Sequence, residues 1–180
     1  MPGKSDCINN EEPSEFLVCN SGLIPLGKVL DLAMGGGRNA VYLAKQGFDV
    51  EGVDVSDEAV MAAEKLAALN RVKIRARVAD LELGYKIAAG TYGCIICFNF
   101  LQRSLIDDIK NGLKSGGLVM SETYIVDQAI LGRPKNPDHL LNHNELLATF
   151  HDFRCLRYRE GIFGKDKKLR AIASIAAVKA

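Results

Sequence analysis

The feature that most restricts this chain is the stretch Val29-Leu-Asp-Leu-Ala-Met-Gly-Gly-Gly37, which runs directly into Arg38-Asn39-Ala40. An apolar run without alternation reads as a strand buried on both faces, the kind that parallel sheets use. Glycines at its end let the backbone turn sharply and let a ligand approach bare peptide at a helix N-terminus. Ala40, Leu43 and Ala44 then fall at helical spacing within 39–46, and Gly47 is a natural stop. The unit repeats. Residues 48–53 read as a second strand, and Ser56 is an N-cap candidate with Asp57 and Glu58 in the first turn of an Ala-rich helix through 59–69.

Further along, 72–79 and 94–98 read as a third and a fourth strand. Leu105, Ile106, Ile109 and Leu113 mark one face of a helix between Gln102 and Leu113, and Leu113-Lys-Ser-Gly-Gly117 turns into a fifth strand over 118–123. Strand and helix alternate from about 28 to 123, which calls for a doubly wound parallel sheet with helices on both faces, an α/β fold. The end of the chain differs. Residues 153–162 and 169–178 are extended candidates joined by Gly164-Lys-Asp-Lys-Lys168, a link too short for a parallel crossover, so they are expected to form an antiparallel hairpin. Residues 124–144 read as a long irregular loop able to act as a lid.

With 180 residues, 48% of them apolar, the chain is expected to form one domain over 14–180 behind a flexible lead-in at 1–13. A formal net charge of +1 argues against a general nucleic-acid or membrane-surface binder. The longest mostly apolar runs, such as 169–178, are about half of a bilayer span. The opening residues Met1–Cys7 lack the apolar stretch of a secretory signal, so a cytoplasmic location and no membrane partner are expected. Five scattered cysteines do not suggest a disulfide framework.

Gly35, Gly37 and Ala40 satisfy the dinucleotide pattern G-x-G-x-x-G/A, and Asp54 follows Gly35 by 19 residues, placed to accept from ribose hydroxyls. A nicotinamide or flavin cofactor, or a tight turn with no ligand, both remain open on that pattern. Asp31 adds a carboxylate suited to a ligand ammonium. Asp80-Leu81 ends the third strand and offers an acceptor for an exocyclic amine.

The whole run from Val29 to Ser56 resembles the first two motifs of the class I S-adenosylmethionine-dependent methyltransferases, closest to the tellurite-resistance branch in its Gly-Arg-Asn and Tyr-Leu-Ala wording. The 113–117 turn and the terminal hairpin resemble later parts of the same family. The resemblance implies a mostly parallel seven-stranded Rossmann-like sheet with a reversed strand, and S-adenosylmethionine as methyl donor. It implies that Asp31, Ala33 and Gly35, Gly36 and Gly37 hold the methionine moiety. Asp54 and Val55 would serve the ribose, Asp80 and Leu81 the adenine, and Phe98 and Asn99 would line the reactive side.

Methyl transfer to a positioned nucleophile demands no fixed catalytic residue. Candidates at the carboxyl ends of the strands are Asn99, Arg103, Glu122 and Tyr124, with Arg133 on the long loop; Arg103 and Arg133 could receive an anionic acceptor. Arg103 could equally be solvated, and Glu122 could cap a helix. His139 and His143 stand four apart, but no third ligand is spaced to join them, so no metal site is expected. Cys94 and Cys97 have redox spacing inside an apolar strand, where buried inert thiols are expected.

Asn99-Phe-Leu-Gln102 lacks the Asn/Asp-Pro-Pro-aromatic turn of amino-methylating nucleic-acid enzymes, so a small-molecule acceptor leads: a thiol, a chalcogen oxyanion or an organic anion. The last thirty residues carry eight basic against three acidic side chains, which keeps an RNA acceptor as the alternative. Those basic residues are expected to gather at the terminal turn, away from the cofactor edge. A short segment before Lys28 is expected to leave the acceptor pocket open. A non-catalytic S-adenosylmethionine-binding module is the third reading. If Asp54 accepts from both ribose hydroxyls, Asp54→Ala is expected to weaken S-adenosylmethionine binding about tenfold or more, by calorimetric titration.

Overall fold

Five strands run parallel: β1 (Lys28–Leu32), β2 (Asp49–Asp54), β3 (Arg75–Val78), β4 (Tyr92–Phe98) and β5 (Leu113–Tyr124). A hairpin of β6 (Phe153–Phe163) and β7 (Arg170–Lys179) completes the sheet in the order β3-β2-β1-β4-β5-β7-β6, with β7 antiparallel to both neighbours. The computed structural model describes residues 12–164 and 168–180. Most of the expected lead-in, and residues 165–167 of the hairpin link, lie outside them. Strand order reverses between β1 and β4, the switch point at which open α/β sheets bind ligands beyond the carboxyl ends of the strands.

The pleat divides the core in two. Leu30, Leu32, Ile95, Val119 and Ile175 pack on one face with Ile109, Leu146 and Phe150. Val29, Val50, Ile96, Leu118 and Met120 pack on the other with Phe16, Leu17 and Leu43. Seven consecutive residues of β4 are buried, the burial on both faces that its unbroken apolar run requires.

Helices follow their local signals. In α3 (Asp57–Leu69) the Ser56 hydroxyl accepts from the Ala59 N–H at 3.2 Å, with Asp57 and Glu58 in the first turn. α2 (Arg38–Lys45) stops before Gly47, whose φ is +90°. The Leu113–Gly117 turn folds into the start of β5, where the register skips from Tyr92↔Leu113 to Cys94↔Leu118. The expected helix after β4 divides into a 3₁₀ turn, Arg103–Leu105, and α4 (Ile106–Gly112).

Two expectations need correction. The segment before Lys28 does form a cover: α1 (Glu15–Asn20) buries Phe16 and Leu17 against the sheet, and a 3₁₀ turn, Ser21–Leu23, continues it. A six-residue helix escapes periodicity, since two apolar residues are enough to seat it. Residues 124–144 are not irregular throughout. They hold α5 (Gln128–Leu131), a 3₁₀ turn at Pro137–His139 and a parallel bridge of Ile125 to Leu141 before α6 (Glu145–Thr149). Among the described residues no helix is long and apolar enough to cross a membrane.

Met120 is fully buried in the middle of β5. Met120→Ala is expected to cost about 2–5 kcal/mol, read as a lower denaturant midpoint at unchanged slope.

Candidate active site

The loop between β1 and α2 is a chain of left-handed residues. Ala33 has φ +53°, Gly35 +54° and Gly37 +79°. Only Ala33 does so with a side chain, so the turn is imposed on it by the bonds around it. Met34 N–H donates to Val53 O at 3.0 Å, and Gly37 N–H to Met34 O at 3.1 Å. Asp54 braces the loop from the end of β2: Oδ2 accepts from the Gly35 N–H at 2.8 Å and Oδ1 from the Ser56 N–H at 3.0 Å. Its carboxylate therefore shapes the site as well as facing it.

Gly37 has no room for a side chain, because an added Cβ would come 2.6 Å from that of Ala63 on α3. At Gly35 the same position opens on empty space. On the strand that leads into this cradle, Asp31 is 1% exposed, and its Oδ2 has no hydrogen-bond partner. Burial pushes its pKa up to about 8, against the lowering influence of Arg38 and of a hydrogen bond from the Ala40 backbone. A buried carboxylate in that state calls for a cation. Asp80 and buried Leu81 follow β3, exposed Val55 follows Asp54, and Phe98 ends β4, so all the expected donor-side residues lie along one edge. Asn99, with φ +58°, is tied to β5 by its N–H, which donates to Glu122 O at 2.7 Å.

On the neighbouring strands of the same edge, Glu122 is 3% exposed and fully engaged. Its Oε2 accepts from the Ser174 hydroxyl at 2.7 Å and from Arg159 Nη2 at 3.2 Å, and its Oε1 lies 3.7 Å from Arg170 Nη1. Arg170 Nη2 also donates to Asn99 Oδ1 at 2.7 Å, and the guanidinium lies over the Tyr124 ring at 5.1 Å. Glu122 caps no helix; it is the counter-charge that joins β5, β6 and β7. The charges of Asp31, Glu122 and Arg170 all reach Arg38, the first residue of α2.

Arg38, Arg159 and Arg170 were not singled out by the sequence reading. The basic hairpin residues do not all lie away from the cofactor edge: antiparallel pairing of Tyr124 with Ile172 brings the start of β7 to the edge where β5 ends. The signal was present in the hairpin itself, since a strand reversed against its neighbours presents its first residues there.

Arg103 is not free for an acceptor, nor simply solvated. Its Nε and Nη2 meet Glu145 at 2.6 and 3.0 Å, and it donates to the carbonyls of Asp138 and Leu140, fastening the long loop to β4. Exposed Arg133 stands apart on that loop, where its carbonyl accepts from Gln128. His143 pairs with Asp127 at 2.7 Å and His139 ends a 3₁₀ turn, so the two serve different contacts. Among the described residues no His, Cys, Asp and Glu cluster is arranged to hold a metal. Cys94 and Cys97 point to opposite faces of β4, and burial pushes both thiols well above their usual range. A mostly apolar cavity of about 30 Å³ beside Cys97, Leu105 and Phe150 has room for little more than water.

Residues 29–117 match the family described as a methyltransferase domain. The 23S rRNA (uracil(747)-C(5))-methyltransferase of Pyrococcus abyssi is 40% identical over 73 residues, covering 34% of this chain and 18% of that protein. The ribosomal protein L11 methyltransferase of Trichlorobacter lovleyi is 31% identical over 142 residues, covering 73% of this chain and 43% of that protein. The chain spans less than half the length of these curated relatives. The crystal structure of TehB from Haemophilus influenzae superposes with a TM-score of 0.78 at 23% identity, covering 91% of this chain and 61% of that one. The architecture is the Rossmann-like methyltransferase fold.

Asp31 supplies a pH test. Its folded pKa, about 8, lies above its ordinary 3.8, so the folded protein holds a proton that the unfolded chain releases. The stabilisation is complete below the ordinary value and is lost as pH rises through about 8. Denaturant titrations at about pH 5 and about pH 8 are expected to show that loss in the ligand-free protein, and a smaller one in Asp31→Asn.

Proposed function

We propose that this chain, with its methyltransferase domain at 29–117, transfers a methyl group from S-adenosylmethionine to a small molecule. The observation that carries the reading is the unpartnered, buried Asp31 Oδ2 on β1, the strand that leads into the open backbone at Gly35. An α-ammonium meets that carboxylate, favours its ionised form and removes the cost of its burial. Asp54, already held by two backbone N–H groups, keeps lone pairs for a ribose diol. Asp80 and Leu81 frame the adenine.

The residues fit the donor, which when bound supplies a sulfonium methyl that is electrophilic without a metal or an acid. The chain's own work is then placement. Asn99, Glu122 and Arg170 stand across the edge from the glycine loop, bonded to one another, and set where an acceptor can sit. Glu122 is committed to Ser174 and two arginines, which makes it a group that positions its neighbours. The acceptor therefore brings its own nucleophile, as a thiolate, a chalcogen oxyanion or an organic anion does.

One observation favours a second reading. The segment match to a protein named for 23S rRNA methylation and the longer match to one named for ribosomal protein L11 point to a macromolecular acceptor. Incubation with methyl-labelled S-adenosylmethionine and a panel of thiols, selenite, tellurite, organic acids, bulk RNA and ribosomal protein separates the readings. Label on a small molecule is expected. Label on RNA or protein alone would overturn the small acceptor, and tight donor binding without product would mark a sensor. Tighter binding of a reduced dinucleotide than of S-adenosylmethionine would overturn the donor itself.

A further inference from the structure

The residues that precede α1 are fastened to the start of α2, next to the glycine loop. Arg38 Nη1 donates to the Glu12 carbonyl at 3.1 Å, and the Ser14 N–H donates to Oδ1 of buried Asn39 at 2.9 Å. Arg38 and Asn39 are the first two residues of α2, directly after Gly37. Residues 12–14 therefore cross the first turn of that helix as a strap, and α1 follows from Glu15. At its own first turn α1 meets the other half of the edge. The Arg159 guanidinium lies over the buried Phe16 ring at 5.3 Å, and Glu15 Oε2 is 4.0 Å from Arg159 Nη1.

Two opposite charges at the start of α2 are left over. The Asp31 carboxyl accepts from the Ala40 N–H, in the first turn of α2, and its Oδ2 keeps no partner. Half-buried Arg38 has no carboxylate within ion-pair distance among the described residues, Asp31 included, and one of its N–H groups is taken by Glu12. An acid and a base at one helix start that do not pair with each other suit a ligand that carries both charges on one carbon. The N–H groups that a helix leaves unpaired in its first turn favour the negative end of such a ligand on the Arg38 side.

We infer, resting on the donor reading above, that Arg38 binds the donor's α-carboxylate and, holding the Glu12 carbonyl at the same time, locks the 12–14 strap and α1 in place once the donor is bound. A planar guanidinium serves both acceptors through separate N–H groups. α1 has only six residues and is seated by Phe16 and Leu17, so its detachment is a local event well below global unfolding. A carboxylate that fixes Arg38 makes that detachment rarer. Strap and donor then stabilise each other, and loosening one weakens the other by the same factor. Donor binding thereby reaches Arg159, at the far end of the contact through α1.

The test combines calorimetric titration with amide hydrogen exchange on the full chain. The ligands are S-adenosylhomocysteine, its decarboxylated form, which keeps the ammonium alone, and methylthioadenosine, which lacks both charges. At saturation S-adenosylhomocysteine is expected to slow exchange of the Val18 N–H, which donates to Ser14 O, about tenfold or more, while the other two leave it near its ligand-free rate. Arg38→Met should weaken S-adenosylhomocysteine about tenfold or more, weaken neither of the others, and abolish the slowing. Phe16→Ala loosens α1 from the sheet side and should weaken S-adenosylhomocysteine about fivefold or more while leaving methylthioadenosine unchanged.

Equal slowing of Val18 exchange by all three ligands, an Arg38→Met protein that still prefers S-adenosylhomocysteine to its decarboxylated form, or unaltered S-adenosylhomocysteine affinity in Phe16→Ala would overturn the inference. If Arg38→Met fails to fold by its melting curve, the three ligands on the unaltered chain decide. Failure of all three to bind would overturn the donor reading together with the inference. Normal binding of all three without a preference for the carboxylate would overturn the inference alone.

Discussion

The site depends on one carboxylate that holds two loops at once. Asp54 takes the Gly35 N–H on one oxygen and the Ser56 N–H on the other, so the loop after β1 and the turn after β2 share a single anchor. Ala33 is held at φ +53° within that arrangement, a conformation that a side chain resists by itself. Around the anchor, the Gly37 backbone closes onto Ala63 of α3 and the space above Gly35 stays clear. Loop shape, helix packing and the open cradle are therefore one constraint seen from three sides.

A second charge organises the other half of the edge. Glu122 is buried, and it is satisfied by a hydroxyl from β7 and arginines from β6 and β7. Removing one partner from such a group would leave charge stranded in a poor solvent, so the three strands are held in register electrically as well as by their ladders. The contrast with Asp31 is chemical. Glu122 has its counter-charges supplied by the protein, whereas Asp31 has an oxygen left without a hydrogen-bond partner.

What sequence reading reached, and what it missed, follows sequence distance. β1, β2 and α3 announce themselves by apolar runs, glycines and a capping serine, and Asp54 stands at a countable offset from Gly35. All of these are local. Arg103 was visible as a cation after β4, but its partner Glu145 lies 42 residues on, and no spacing rule connects them. Arg170 meets Asn99 across 71 residues, and only the reversal of β7 makes them neighbours. α1 was too short for a periodic pattern and owes its place to Phe16 and Leu17 fitting a gap in the sheet's cover.

The reversed β7 divides the two halves of the site by their history as well as their place. The glycine cradle closes through a contact between residues 19 apart, while the Glu122–Ser174 and Asn99–Arg170 contacts span 52 and 71. Loops of those lengths close at different entropic cost, so the cradle can organise while the arginine side still awaits its last strand. The same separation lets the two halves drift apart in descent. Residues of the hairpin can be exchanged while the Gly35–Asp54 contact stays untouched, which is how one sheet can carry different groups along the same edge.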